Sequence, residues 1–368
     1  MSSTLKYVPV FRARQQEILV LKESDFGNRI YPMVEVIKEK DRKNNQQSSF
    51  EIYNELFNSI TSDYVFLSLP NYIKLSNSTQ SDVVTFSRLV LESVAGRVEF
   101  FEQFKAIQKV IPVVSSLLNL LGEADTISRQ SKSLVGMFSK VAFITNPDSF
   151  EEDLIEIEQW IRSDSDYFIY DLGTVSPTNP IFRKHNRIIR KCFQSVTKII
   201  IRSALNSDIK NVELDHNDVI SEADNSLIES FERESFDAFG DYAGIKKDDM
   251  TAGGTISPGF IFYDPYDNLY YGFKAEVKKL EQFKDFIVPA VLQSIPFVRL
   301  EKDYNSFVEG NPGVQMLRDI LTGAENGRNQ AKFKKIAMLH YLYCMKVWID
   351  EGRTIPLYQE YTKDGLIG

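Results

Sequence analysis

One unit repeats eight times along the first two thirds of this sequence: a short run of β-branched and aromatic residues, followed by a longer amphipathic stretch. Such alternation is typical of parallel strands joined by crossover helices. A doubly wound sheet and a closed barrel both satisfy it, and eight units in about 250 residues favour an α/β fold of the (β/α)8 TIM-like barrel type. The eight predicted strands are Tyr7–Ala13, Arg29–Ile37, Tyr64–Leu69, Lys109–Ser115, Lys140–Thr145, Tyr167–Leu172, Lys198–Ser203 and Phe239–Ile245.

The helical segments between these strands vary in length. The longest is predicted over Ser81–Phe104, and the last one before the eighth strand lies near Asn225–Glu234. Apolar residues recur in these segments at the spacing of one helix face, which predicts that the helices pack around the outside of the strands.

The pattern changes after the eighth strand. Alternating aromatic runs at Ser257–Tyr263 and Leu269–Phe273 flank a turn-forming Asp-Pro-Tyr-Asp-Asn segment and predict a β-hairpin. Three helices are predicted to follow, over Glu276–Leu292, Pro312–Leu321 and Arg328–Asp350. We therefore expect a barrel over residues 1–250, with the hairpin and helical region of residues 251–368 appended to it and packed on it.

Composition excludes several classes of protein. The formal net charge of −8 argues against a cationic field over the whole surface, and two cysteines cannot form a disulfide framework. No apolar run approaches the ~20 residues of a membrane span. The first residues show no charged segment followed by a long apolar one, so no signal peptide is predicted. The expected location is the cytoplasm, with no membrane partner.

Charged side chains follow the apolar runs instead of interrupting them. Ile199–Ile201 is followed by Arg202, for example, and Phe168–Tyr170 is followed by Asp171. In (β/α)8 barrels the working residues lie at the carboxyl ends of the strands and on the loops that follow. The candidates at those positions are Arg12, Arg14, Glu17, Glu35, Asp171, Arg202, Asp241, Tyr242 and Lys246.

These residue types suit phosphate chemistry, and they also suit one another. The guanidinium groups of Arg12, Arg14 and Arg202 are forked donors for phosphate or carboxylate. The candidate catalytic carboxylates have three possible uses: pairing with those arginines, holding a hard cation such as Mg²⁺, or sharing acid and base roles. They are Glu35, Asp171 and Asp241. Mutual pairing without any catalysis is the alternative. The sequence contains no glycine-rich phosphate motif, HExxH or Gly-x-Ser-x-Gly.

Four segments resemble the "beta protein" family, which is named for a tailed-phage protein and occurs widely in bacterial genomes. They are YVPVFRARQQE at residues 7–17, IYPMVEV at residues 30–36, and GDYAG at residues 240–244 with SPGF at residues 257–260. The resemblance implies a cytoplasmic protein linked to phage infection or antiphage defence, and it implies no established reaction. By matched position it singles out Arg12, Arg14, Glu17, Glu35, Asp241 and Tyr242.

Charge is distributed unevenly between two neighbouring units. Residues 177–202 contain seven bases and no acid, and Arg183, Arg187 and Arg190 recur on one helical face. Residues 208–237 contain ten acids and two bases. The net charge of this segment is therefore equal to the net charge of −8 of the whole chain. Intramolecular compensation between the two segments is one interpretation. A partner surface is the other, with nucleic acid on the basic face or a basic protein on the acidic segment.

Two functional hypotheses follow from the sequence. The first is a binding or regulatory component of phage–host conflict that acts through the barrel mouth or a charged surface, with a protein or a phosphate-bearing ligand as its partner. The second is an enzyme that uses a divalent metal on a phosphodiester or nucleotide substrate.

Overall fold

A closed barrel of eight parallel strands forms the first part of the protein, which confirms the predicted fold class. The structure is a computed structural model that describes residues 4–39, 47–70, 79–117, 121–203, 205, 209, 213–220, 227–245 and 258–351. The barrel strands are β1 (Tyr7–Arg12), β3 (Met33–Glu35), β5 (Val65–Ser68), β6 (Val110–Ser115), β7 (Ala142–Thr145), β8 (Tyr167–Asp171), β9 (Thr197–Ile201) and β11 (Ala238–Asp241). Each strand pairs with the next in this order, and β11 pairs with β1 to close the ring. The short strands β2 (Asp25–Gly27) and β4 (Thr61–Ser62) form a separate two-stranded sheet.

The barrel interior is filled by alternate residues of the strands. Val8 and Val10 of β1 point into one core cluster together with Ile111 and Val113 of β6. Side chains of parallel barrel strands alternate between the interior and the surrounding helices, so each strand is buried on both faces. This explains the nearly continuous apolar runs in the sequence.

Seven helices of eight or more residues accompany the described part of the barrel. They are α1 (Gln15–Glu23), α2 (Ser49–Ser59), α3 (Ser81–Leu91), α4 (Val94–Glu102), α5 (Thr126–Met137), α6 (Phe150–Trp160) and α7 (Pro180–Cys192). Local signals set several of their starts. The side chain of Ser48 accepts a hydrogen bond from the Glu51 amide in a capping box at α2, and Asn179 caps α7 just before Pro180.

Three helix predictions differ from the structure. The helix expected over Glu276–Leu292 is a π-helical turn from Phe283 followed by a short α-helix that ends at Leu292. The single helix expected over Ser81–Phe104 is divided into α3 and α4, because the Ser93 hydroxyl accepts a hydrogen bond from the Gly96 amide and starts a new helix. The helix expected near Asn225–Glu234 is only the four-residue α8 (Leu227–Ser230) in the described residues.

The eighth strand is shorter than predicted. β11 ends at Asp241, because Ala243 and Gly244 adopt positive φ angles of 52° and 72° that do not continue a strand. The segment Tyr242–Ile245 therefore belongs to a turn, which places Tyr242 immediately beyond the carboxyl end of the barrel.

A second compact unit comprises Lys210–Glu229 and Ile256–Gly368, while the barrel unit comprises Met1–Ile209 and Ser230–Thr255. In the second unit β10 (Asp218–Val219), β13 (Leu269–Lys274) and β12 (Gly259–Asp264) form an antiparallel sheet in that order, which contains the predicted hairpin. Its helices are a π-helical turn (Phe283–Ile287), α9 (Val288–Leu292), α10 (Ile295–Asp303), a 3₁₀ turn (Asn305–Phe307), α11 (Pro312–Thr322) and α12 (Gln330–Glu351). Packing of this region on the barrel stays a prediction.

The core of the second unit contains a buried histidine whose two ring nitrogens both have hydrogen-bond partners. Asn311 and the carbonyl oxygen of Tyr263 contact the two ring nitrogens of His340, each within 3 Å. Burial lowers the pKa of His340 to about 4, so the ring is neutral at pH 7.

None of the described helices combines the length and apolarity needed to cross a bilayer.

Candidate functional site

A small cavity opens at the carboxyl ends of the barrel strands. Its volume is about 30 Å³, the space of one or two water molecules. Apolar side chains such as Val10 and Ile201 line part of its wall. The polar lining residues are Glu35, Ser68, Ser115, Asp171 and Tyr242, four of which are the last residues of their strands. The cavity therefore accommodates the polar end of a ligand and not a whole nucleotide.

Arg12 and Glu35 form a charge pair at this mouth. They are the last residues of β1 and β3 and lie in register, and Arg12 Nε donates to Glu35 Oε2 at 2.7 Å. Their side chains are only 10% and 15% exposed. A pair so shielded from water has a fixed geometry, unlike the surface ion pairs that contribute little. The parallel register thus places these two rim residues side by side.

Arg97 is a fully buried guanidinium beneath the same wall of the mouth. Its Nη1 donates to the carbonyl of Pro70 at 2.7 Å, and its Nη2 donates to Ser115 Oγ at 2.9 Å. Longer bonds run to carbonyl oxygens of Leu69 and Val90 and to the Gln130 side chain. All these acceptors are neutral. Arg97 therefore holds the ends of β5 and β6 in place without a contacting carboxylate in the described residues.

Burial lowers the pKa of Arg97 to about 9, and the carboxylate of Glu35 opposes this shift. The guanidinium therefore keeps its positive charge at pH 7. Glu35 interacts electrostatically with Arg97 while it is bonded to Arg12, so one carboxylate serves two cations on this side of the mouth.

Asp241 occupies a structural position next to the mouth. The Tyr7 hydroxyl donates to Asp241 Oδ1 at 2.6 Å, and the Ala243 amide donates to the same oxygen at 2.8 Å. The carboxylate thus joins β1 to β11 and fixes the turn that follows. Asp241 is 4% exposed and is not part of the cavity wall, whereas its neighbour Tyr242 is.

Asp171 and Arg202 organise the loop that follows β8. Asp171 Oδ1 accepts a hydrogen bond from the Gly173 amide at 2.8 Å, and Arg202 Nε donates to the carbonyl of Val175 at 3.2 Å. Both residues are partly exposed. Asp171 is therefore a candidate contact for a ligand, and Arg202 lies beside it at the end of β9.

The remaining predicted rim residues have mixed positions. Arg14 precedes α1 and is half-buried, whereas Glu17 lies in the first turn of that helix and is only 3% exposed. Burial of Glu17 makes it a poor candidate for direct contact with a large ligand. Lys246 lies outside the described residues.

The basic face of α7 is divided in its interactions. Arg190 donates to Glu234 at 3.3 Å and to the carbonyl of Arg233, which agrees with compensation between the basic and acidic segments. Arg183 and Arg187 are exposed and have no partner in the described part of the chain. Of the three arginines on this face, only Arg190 is therefore paired with the acidic segment in the described residues.

A buried carboxylate that the sequence did not reveal lies behind the end of β7. The hydroxyls of Thr145 and Ser149 donate to Asp153 Oδ2 at 2.7 and 2.6 Å. Asp153 is 1% exposed, and burial raises its pKa in spite of these bonds. The sequence did carry one indication of this contact: Ser149 and Asp153 are four residues apart, which places them on the same side of a helix turn.

Arg97 was also missed at the sequence level. It lies on the buried face of α4, three and four residues before Phe100 and Phe101. An arginine that shares a helix face with apolar residues could therefore have been predicted to be buried.

Grouped carboxylates that would suit a metal ion are not found in the described residues. No three His, Cys, Asp or Glu side chains come close enough together there to hold one. Glu35 is bonded to Arg12, and Asp241 to Tyr7. The proposed use of Glu35, Asp171 and Asp241 for Mg²⁺ thus gains no support from their arrangement.

The fold and this mouth define a (β/α)8 barrel protein whose rim carries charges held by neighbouring side chains. The sequence profile of the family described as "Beta protein" matches residues 7–346, nearly the whole chain. The chain therefore belongs to the Beta protein family, which confirms the resemblance read from its first strands. A search of curated proteins finds none that matches it.

Proposed function

We propose that this protein is a binding or regulatory component of phage infection or antiphage defence, and that its ligand enters the barrel mouth. The observation that carries the proposal is the Arg12–Glu35 pair, held at 2.7 Å beside the cavity and next to the buried Arg97. Fixed charges at the carboxyl end of a barrel are a preorganised binding surface. The match to the Beta protein family supports membership alone. The link to phage is an expectation drawn from the tailed-phage protein for which the family is named.

Ligand binding is tested by thermal unfolding of the native protein and of Glu35→Gln. The probes are MgCl₂, MnCl₂, nucleoside triphosphates and short single-stranded oligonucleotides, each at constant ionic strength. The expected result is that at least one probe raises the Tm of the native protein and that Glu35→Gln alters this shift. The matched control is Glu55→Gln, because Glu55 pairs with Lys22 at 2.8 Å on the surface, away from the mouth.

The biological part of the proposal is tested in cells. Bacteria that express the native protein, Glu35→Gln or Glu55→Gln are challenged with tailed phages, and plating efficiency is measured. A difference between native and Glu35→Gln cells, with Glu55→Gln cells like native, supports action through the mouth. Equal plating on all strains, including cells without the protein, contradicts a role in phage infection.

The alternative is an enzyme that acts on a phosphate-bearing substrate with a divalent metal. It is favoured by the arginines and carboxylates at one end of the barrel, whereas the described residues contain no cluster of three His, Cys, Asp or Glu side chains that could hold a metal ion. Turnover decides between the two. Release of inorganic phosphate or of a shortened nucleotide in the presence of Mg²⁺ supports the enzyme, whereas a Tm shift without turnover supports the binding protein.

A second binding surface is proposed on α7. Arg183 and Arg187 are exposed on one face without an acidic partner in the described residues. Cationic side chains spaced along a helix contact successive phosphates of a nucleic acid. This surface is separate from the barrel mouth and is tested separately below.

A further inference from the structure

Ser115 has a hydroxyl hydrogen for which the described residues supply no acceptor. Its Oγ accepts a hydrogen bond from Arg97 Nη2 at 2.9 Å, so the Ser115 O–H must donate in another direction. Ser115 is 2% exposed and lines the cavity at the mouth. A buried hydroxyl polarised by a guanidinium is a strong donor that lacks its acceptor.

Ser68 adds a second donor on the same wall. It ends β5, next to β6, and also lines the cavity. Its hydroxyl lies 3.5 Å from the carbonyl oxygen of Leu69, which is too long for a strong hydrogen bond. An acceptor inside the cavity would therefore compete well for the Ser68 proton.

The charge beneath these two hydroxyls is positive. Arg97 contacts only neutral acceptors among the described residues, and the nearby Glu35 is bonded to Arg12. Within a buried site a cation acts strongly on a bound anion, because little water screens it. Two carboxylates line the same cavity and oppose an anion. The charge of Glu35 is offset by its bond to Arg12, and Asp171 lies on β8, with β7 between its strand and β6.

We propose that the Ser68 and Ser115 hydroxyls, backed by the buried Arg97, bind one oxyanion group of the ligand. A carboxylate and a phosphoryl group share the required chemistry: compact, anionic and rich in acceptors. The cavity of about 30 Å³ accepts such oxygens and excludes the rest of the ligand. This inference rests on the proposed function, since it assigns the class of ligand group that enters the same mouth.

The test measures binding of two small anions to the full chain at constant ionic strength and pH 7. Inorganic phosphate and acetate are titrated and followed by calorimetry and by Tm, and methylammonium chloride serves as the cationic probe. We expect phosphate to raise the Tm. Binding of acetate as well identifies a general oxyanion site, whereas binding of phosphate alone identifies a phosphoryl site. Binding of methylammonium with neither anion overturns the proposal.

Three variants locate the site. Ser115→Ala should weaken anion binding roughly tenfold, the loss typical of a hydrogen bond to a charged group. Ser87→Ala is the matched control, because Ser87 is an equally buried serine whose hydroxyl bonds the carbonyl of Val83 on its own helix. Asp171→Asn should tighten anion binding, since it removes the opposing charge. Native-like affinity in Ser115→Ala contradicts the assignment.

Arg97 is a positioning residue, and its test must separate charge from support of the fold. Arg97→Lys retains the positive charge but removes the planar, forked set of N–H donors of the guanidinium. Its effect on phosphate affinity should be large in the native background and small in Ser115→Ala, because both act through one hydroxyl. If Arg97→Lys lowers phosphate affinity equally in both backgrounds, Arg97 does not act through the Ser115 hydroxyl.

The two proposals fail in different ways. If the anions do not bind but another probe shifts the Tm in a manner that depends on Glu35, the oxyanion assignment fails and the mouth remains a binding site. If no probe of either experiment binds, the proposed function fails with it.

Discussion

Tyr7 and Asp241 meet at the seam of the barrel, where the phenol of the first strand donates a 2.6 Å hydrogen bond to the carboxylate of the last. Both residues are buried, and the Ala243 amide supplies a second donor to the same oxygen. A buried carboxylate requires such donors, because an unpaired one costs several kcal/mol. This explains why a charged residue ends the last barrel strand without facing the cavity.

Tyr7→Phe should therefore destabilise the fold by about 1–3 kcal/mol, since it removes a donor from a buried carboxylate. The free energy of unfolding in urea measures this. Tyr53→Phe is the control, because the Tyr53 hydroxyl donates to a neutral acceptor, the carbonyl oxygen of Lys38, at 2.8 Å. A loss in Tyr7→Phe no greater than in Tyr53→Phe contradicts the assigned role.

Arg97→Met should lower the free energy of unfolding by about 3 kcal/mol or more, because carbonyl oxygens at the end of β5 and the Ser115 hydroxyl lose their donor. Arg88→Met tests the same change on the exposed surface of α3 and should alter stability by less than about 0.5 kcal/mol. Similar losses in both variants would show that Arg97 does not hold the rim. Urea unfolding monitored by circular dichroism provides the comparison.

Asp153→Asn should change how stability depends on pH. Because burial raises the pKa of Asp153 in the folded protein, the folded state holds this proton more tightly than the unfolded state. The resulting stability is complete below the unfolded value, about pH 4, and is lost as the pH rises through the folded value. Asparagine has no proton to lose and still accepts hydrogen bonds from Thr145 and Ser149.

Relative to the native protein, the variant should accordingly gain stability between pH 4 and pH 8. Urea unfolding at both pH values measures the gain. Glu152→Gln, an exposed carboxylate on the same helix, should show little change. A native-like difference between the two pH values in Asp153→Asn would refute the effect.

Arg187→Glu should weaken binding of a short single-stranded oligonucleotide if the α7 surface takes nucleic acid as proposed. We expect a loss of roughly tenfold at low salt that shrinks as salt is added, because phosphate contacts depend on counterion release. Arg88→Glu makes the same charge change on α3 and should have a smaller effect. Fluorescence anisotropy at two salt concentrations measures both, and unchanged binding in Arg187→Glu excludes the surface.

The barrel could be predicted because each strand is an uninterrupted apolar run with a polar boundary. All eight barrel strands lie within the predicted runs to within a residue. The error at Tyr242–Ile245 arose because the positive φ angle of Ala243 has no signature in residue type. The division at Ser93 was missed because a capping serine looks like any polar residue within a helix. Helix α10 was not predicted at all.

The site was predicted only where chain order determines proximity. Arg12 and Glu35 end neighbouring parallel strands, so the fold itself brings them together. Arg97 and Asp153 act at the same end of the barrel from helices, and their partners depend on how those helices pack. That packing is determined only when the core assembles, and it cannot be predicted from the periodicity of apolar residues along the sequence.

The hydrogen bond at the seam joins residues that are 234 positions apart. At about 5–20 residues per second of synthesis, roughly 10–50 seconds separate Tyr7 from Asp241 on the ribosome. Until then β1 lacks one of its two neighbouring strands and presents an open edge of the kind that recruits other chains. The barrel therefore cannot close until residue 241 has been made, and one edge of β1 lacks its partner strand for most of the time needed to synthesise the barrel.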